Sequence, residues 1–299
     1  MSSDVVAKRI YQFTDENGIV HVTDVPPDTD QPVSSRPIKV DPKSPIVVHK
    51  SKTSPRFPER FENKLYGPVE VEVKFTENDN IISTPSLPRR FVLAPRFNDK
   101  LISLKPEREN RGYKMQISYR TVPGDPKARH DANAVYIPPF APGAQFFVSQ
   151  GFHGKATHNT PGAKYAIDIP MPEGTPVMAA RDGVVMDVQD DFYEGGDDLK
   201  RFGQRANRVV ILHADGTMAI YAHLAPESAA IRPGKVVLAG EMIGRSGNTG
   251  YSTGPHLHFA IQKNAGMKIV SLPFRFRNEA GQKLTPKKGD LLTGYEYFP

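Results

Sequence analysis

The chain has 299 residues, 38% of them hydrophobic, a mean hydropathy of −0.46 and a formal charge of +6. That is enough for two or three domains with a sizeable core, while no apolar run approaches a membrane span. There is no cysteine, so disulfide frameworks and thiolate metal sites are excluded; no basic stripe interleaved with aromatics is present, so nucleic acid is a poor partner. The modest basic excess is compatible with an anionic partner such as a cell wall. Twenty-eight prolines and 24 glycines punctuate many short alternating runs, which predicts an all-β chain.

The first predicted element is a hairpin. Ile10–Thr14 and Ile19–Thr23 are β-rich runs, and Asp15-Glu16-Asn17-Gly18 between them holds the Asn-Gly pair of a tight turn. Residues 1–27 are read as an N-terminal β-hairpin domain. The run from Tyr11 to His21, followed by Asp24-Val25-Pro26-Pro27, resembles a small N-terminal domain of unknown function found in bacterial envelope proteins. His21 has no partner cluster nearby and is read as an exposed strand residue. Residues 28–60, rich in Pro, Ser and Lys, read as an extended linker. From 61 to 122, Val69, Val71 and Val73 alternate with Glu70, Glu72 and Lys74, and residues 90–93, 101–104 and 113–119 read the same way. This predicts a middle β-sandwich with no catalytic constellation.

Residues 123–144, opening on Pro123-Gly124-Asp125-Pro126, read as a second linker. A C-terminal domain is predicted over 145–272, with strands at 165–169, 177–180, 183–188, 208–212, 218–222, 235–238 and 256–262. The charged loop 190–207 reads as solvated surface, with a substrate-groove wall as the alternative. Residues 273–299 are an extension expected to pack an extra strand on that domain. His130 and His213 are read as structural or exposed.

The functional signal is Gly254-Pro255-His256-Leu257-His258-Phe259-Ala260-Ile261. On a strand, His256, His258 and Ala260 share one face, and Leu257, Phe259 and Ile261 point into a core. Two imidazoles on a rigid scaffold suit a metal site. Their candidate partners upstream are Asp168, in Tyr165-Ala166-Ile167-Asp168-Ile169, and His223, in Tyr221-Ala222-His223-Leu224. No His-Glu-x-x-His motif is present, which excludes the helical metalloprotease design.

Together with Glu173–Val177, Arg181–Val185 and Gly247–Gly254, these segments resemble the lysostaphin/LytM-type zinc endopeptidases, from about Gln150 to Gln262. The resemblance implies an antiparallel β-sheet domain, a Zn2+ ion, and hydrolysis of peptide bonds in bacterial peptidoglycan by attack of a zinc-activated water. It implies Asp168 and His258 as metal ligands. It further implies His223 and His256 as catalytic histidines beside the water, with His256 taking the proton and His223 stabilising the oxyanion. The third ligand departs from the family pattern. The usual histidine four residues before the aspartate is Lys164 here, and the usual glycine is Ala166. A protonated lysine is a poor zinc ligand. His158 is therefore assigned as the third metal ligand, with an insertion between ligands, and His153 is the alternative.

The resemblance also implies a place in the periplasm or cell envelope, with a signal peptide already removed, since Met1-Ser2-Ser3-Asp4 opens no apolar segment. Two other readings stay open. One is a non-catalytic wall-binding module or regulator of other hydrolases, which Lys164 would suit. The other is a lipoyl- or biotinyl-type carrier, suggested by Arg181–Val185, Lys235–Glu241 and Met267-Lys268, although that lysine follows the His-x-His strand.

Overall fold

The computed structural model describes residues 9–16, 18–23, 25–37, 41–51 and 57–297. Asn17 of the predicted turn, Asp24 and the opening Met1–Asp4 lie outside the described residues. Among the described residues, Leu199–Phe202 is the one α-helix, and all other regular structure is β. Asp198 caps that single turn, its carboxylate accepting from the Lys200 and Arg201 amides.

The N-terminal hairpin forms between Arg9–Thr14 and Val20–Thr23. A third strand, Ser34–Pro37, pairs on the other side of Arg9–Thr14. It comes from the stretch that reads as a linker, where proline and serine hide a short extended run. His21 is an exposed strand residue. Its ring stacks on Phe13 with centroids 4.9 Å apart, and its Nε2 lies 2.7 Å from Asp15 Oδ2.

Two small sheets follow. One pairs Ile46–Lys50, Pro58–Asn63 and Asn98–Asp99; the other pairs Lys114–Pro123, Val69–Asp79 and Arg89–Leu93. Ile46 and Phe61 of the first are buried together with Val69, Val71, Val73 and Leu93 of the second. The Val/Glu alternation thus produces the predicted face of apolar residues. These residues do not close the core alone. Met186, Val210 and Met218 of the C-terminal sheet complete it. Glu70, 4% exposed, accepts hydrogen bonds from Asn264 Nδ2 at 2.9 Å and from the Met267 amide at 2.6 Å. A buried carboxylate must find such donors, because burial without them is costly. The middle sheets and the C-terminal sheet are therefore packed as one body.

The C-terminal sheet has seven antiparallel strands. In order they are Ile167–Pro170, His256–Asn264, Met218–Ala222, Arg208–Leu212, Gly183–Gln189 and Val236–Val237, with Ile269–Leu272 pairing the far end of His256–Asn264. Leu257, Phe259 and Ile261 point inward with Val209, Ile211, Ala219 and Tyr221. The sheet is covered on its other face by the middle sheets. Its end at Asp168, His256 and His258 opens into a cleft.

Two sequence readings need correction here. Residues 123–144 are not a plain linker: Tyr136, Ile137 and Phe140 are buried. Their backbone is tied down, the Tyr136 amide donating to Arg275 O and the Ile137 amide to Ala180 O. Nor is 273–299 only an added strand. Phe274, Phe276 and Leu292 lie in the main core, and Leu291–Thr293 pairs with Gln145–Phe147. Burial of each such side chain contributes about 1.5–3 kcal/mol, so the tail is integral to the sheet domain.

Candidate metal centre

Strand register builds one half of the site. Asp168 stands directly opposite His258, and Pro170 opposite His256. On the other side of the same strand Ala222 stands opposite His258, which brings His223 to the end of the neighbouring strand. Two backbone ladders therefore bring four candidate residues, Asp168, His256, His258 and His223, to one end of the sheet. His258 Nδ1 lies 2.8 Å from Asp168 Oδ1, and His256 Nε2 lies 3.9 Å from the same oxygen.

A loop builds the other half. His158 sits between Gly151 and Lys164, is 1% exposed, and its Nε2 lies 3.2 Å from Asp168 Oδ1. A carbonyl can only accept, so the 3.0 Å contact from His158 Nδ1 to Gly151 O is an N–H donation. With Nδ1 so engaged, Nε2 is the ring atom that faces the carboxylate. The loop is pinned at its far end: the Ser271 amide donates to Pro161 O and Gln262 Nε2 donates to Gly162 O, both at 2.8 Å.

Gln150 joins the halves. Its Nε2 donates to Asp168 Oδ2 and to Thr157 Oγ1, both at 2.7 Å, and its Oε1 accepts from the Ala156 amide at 3.2 Å. Glycine at 154 makes room for this side chain, since a Cβ there would overlap it. Gln150 carries no sequence signal as a site residue. Its role comes from a side chain bridging strand and loop, which residue type and spacing do not reveal.

The ligand atoms of His158, Asp168 and His258 all lie within 4.8 Å of one another, the arrangement of a group that could hold a metal ion. The electrostatics agree with the donor chemistry. Burial alone would raise the Asp168 carboxyl, but hydrogen bonds from His158 and His258 hold it well below the usual carboxylate range. Burial likewise opposes protonation of His158, and the Asp168 carboxylate outweighs it, raising the imidazole. Both shifts express a carboxylate oxygen that demands positive charge between two imidazoles. A divalent cation would supply it at the same point, so these residues fit a metal.

His223 and His256 stand beside this group, with ring centroids 4.5 Å apart. His223 Nδ1 donates to Thr249 O at 2.7 Å, and His256 Nδ1 donates to Gly254 O at 2.8 Å with Ser252 Oγ at 3.2 Å. Both rings line the cleft, and in a neutral ring each Nδ1 donation leaves Nε2 as the acceptor nitrogen. Burial and the nearby His256 and His258 push His223 down to about 3, so it stays neutral near pH 7. Its backbone is strained, at φ 63°, a conformation non-glycine residues rarely adopt.

The remaining histidines and Lys164 lie apart from the group. Lys164 is exposed, its Nζ 5.5 Å from the centroid of the Tyr165 ring. His153 is exposed, lines the cleft and packs edge-on to Tyr165, with centroids 5.0 Å apart. His213 is buried on the sheet, its Nδ1 donating to Asp182 O at 2.7 Å; burial pushes it down to about 4. Leu199, Gly203 and Ala206 line the cleft, so the charged loop 190–207 forms a groove wall. The C-terminal tail also reaches the cleft through Thr285, Pro286, Lys287 and Lys288, a placement no local pattern announces.

Comparison with known proteins gives two family matches. Residues 162–269 match peptidase family M23, and residues 1–51 match a domain of unknown function, DUF4124. The DD-carboxypeptidase/endopeptidase Mpg of Neisseria meningitidis is 44% identical over 98 residues, covering 33% of this chain and 20% of the relative. The peptidoglycan DD-endopeptidase ShyA of Vibrio cholerae is 40% identical over 94 residues, covering 31% and 19%. The chain thus spans about a fifth of the length of these curated relatives. A variant catalytic domain of the prophage-encoded M23 protein EnpA from Enterococcus faecalis is 30% identical, with 44% of this chain and 93% of that one covered and a TM-score of 0.33.

Proposed function

Residues 162–269 belong to peptidase family M23, and from that premise we propose that the chain is a zinc metalloendopeptidase that cuts peptide bonds in bacterial peptidoglycan. The observation that carries this is the convergence of His158 Nε2 and His258 Nδ1 on one oxygen of Asp168, with two further imidazoles facing the same space. Two imidazole nitrogens and one carboxylate oxygen are a donor set zinc takes in catalytic sites, with a fourth position left open. When bound, zinc would act as a Lewis acid, polarising a peptide carbonyl and acidifying water.

The chain's own residues supply positioning and proton transfer. His256 Nε2 is the acceptor for a proton from the attacking water, and its Nδ1 donation to Gly254 O fixes that tautomer. His223 has a different task from the oxyanion stabiliser its family position implies. A stabiliser must donate, whereas neutral His223 offers a lone pair at Nε2. It accepts a hydrogen bond from the second water proton and so aims the oxygen. As the water oxygen attacks the carbonyl carbon, His256 takes one proton. Nε2–H of His256 then returns it to the leaving amide nitrogen, releasing an amine and a carboxylic acid. The cell envelope, with peptidoglycan as partner, is the setting this activity requires.

The test is digestion of purified peptidoglycan with the zinc-loaded chain, with soluble fragments read by mass spectrometry. New amino and carboxyl termini within the peptides, lost on chelation and regained with zinc, are the expected result. Wall binding without new termini would overturn the proposal in favour of a non-catalytic module.

A further inference from the structure

The charges around the cleft are of unequal sign. Apart from the histidines, its charged lining residues are Lys155, Lys287, Lys288 and Asp168. The single carboxylate is spoken for: Oδ1 faces His158 and His258, and Oδ2 accepts from Gln150. None of the three lysines forms an ion pair among the described residues, and all three are exposed. Uncompensated cations in a cleft raise the local concentration of anionic ligands and orient them.

The two tail lysines are also held on a rigid backbone. Pro286 is buried, the Lys287 amide donates to Asp290 Oδ2 at 2.8 Å, and the Gly289 amide donates to Val148 O at 2.8 Å. Val148 returns its own amide to Asp290 O at 3.0 Å. The tail lies close against Gly151, where an added Cβ would sit 3.1 Å from the Lys288 nitrogen. Gly151 is also the residue whose carbonyl orients His158. Lys287 and Lys288 are therefore fixed relative to the reacting centre, which is what a specificity contact needs.

We propose that Lys287 and Lys288, with Lys155, form an anion subsite that binds a free carboxylate of an acidic peptide substrate. The inference rests on the peptidase reading above and adds a substrate class to it. The lysines act on binding and register and do not touch the reacting atoms.

The zinc-loaded full chain would be titrated with a wall-type stem peptide carrying two free carboxylates and an N-methylated, uncleavable amide at the bond to be cut. Its doubly amidated counterpart, and two singly amidated forms that tell a terminal from a side-chain carboxylate, complete the set. The parent should prefer the diacid about tenfold, less at high salt, since exposed ion pairs contribute up to about fivefold each. Lys287→Ala/Lys288→Ala should abolish the preference and leave binding of the amidated peptide unchanged, while Lys287→Arg/Lys288→Arg should retain it. Equal affinity of the parent for all four peptides, absence of diacid binding, or a preference that survives the double alanine substitution would overturn the subsite. Cleavage of the unmethylated peptides is read separately. Preference without cleavage would sink the peptidase reading and leave the subsite standing; cleavage without preference would do the reverse.

Discussion

The two halves of the candidate metal centre are built on different principles. Asp168, His256 and His258 lie on paired strands, where register alone brings them abreast. His158 lies on a loop between Gly151 and Lys164, and its place depends on side-chain and carbonyl tethers. A sheet ladder spreads the work of positioning over many backbone bonds. A loop concentrates it in a few contacts, each of which can be removed singly.

That contrast can be broken outright or sharpened. The largest effect should follow Asp168→Ala, which removes the oxygen both halves share. Bound zinc should fall below about a tenth of an equivalent, with hydrolysis down about a thousandfold or more, and the sheet should still melt cooperatively. A chain that keeps zinc after this change would refute the shared-oxygen geometry. Gln150→Leu comes next. It leaves every ligand in place and cuts the bridge between strand and loop, so chelator competition should show zinc held about 10–100-fold less tightly. An unchanged affinity would mean that the loop half stands without its tether.

The third effect concerns acid and separates unfolding of the sheet from failure at the metal. Burial holds folded His213 at about 4, below its ordinary value of 6.5. As pH falls through 6.5 the unfolded chain takes up this proton first, so stability is complete above about 6.5 and declines towards 4. The loss is on the order of 3 kcal/mol at most. Melting temperature should drop between pH 7.5 and pH 5, and His213→Asn, which keeps a donor for Asp182 O, should flatten the drop. An equally steep drop in the variant would assign the acid sensitivity elsewhere. The smallest effect is Gly151→Ala, whose Cβ would crowd the Lys287–Lys288 backbone. A cost of about 1 kcal/mol is expected, read as faster proteolysis of the loop with the strand half unchanged.

The same contrast explains what could be read beforehand. Arg208–Leu212 and Met218–Ala222 have the predicted bounds, because a short continuous apolar run suits a strand buried on both faces. Asp168 and His258 are visible for a related reason: alternation on a strand fixes which face each residue shares. His158 needs the recognition that Lys164 is unsuitable and that a histidine further back can reach. Gln150, Lys287 and Lys288 are invisible, since they arrive through packing between segments far apart in the chain. Tyr136 and Phe140 hide in a proline-rich stretch that shows no period, although their bulk marks them as core residues. The Ile269–Leu272 strand is missed because it is short and follows a glycine turn.

The central claim is that His158, displaced from the usual position, completes the zinc site with Asp168 and His258. Its most direct test is zinc per chain by mass spectrometry for the parent, His158→Ala and His153→Ala. About one zinc in the parent and in His153→Ala, with none retained in His158→Ala, is the predicted result. Zinc kept by His158→Ala, or absent from a parent dialysed against it, would contradict the account.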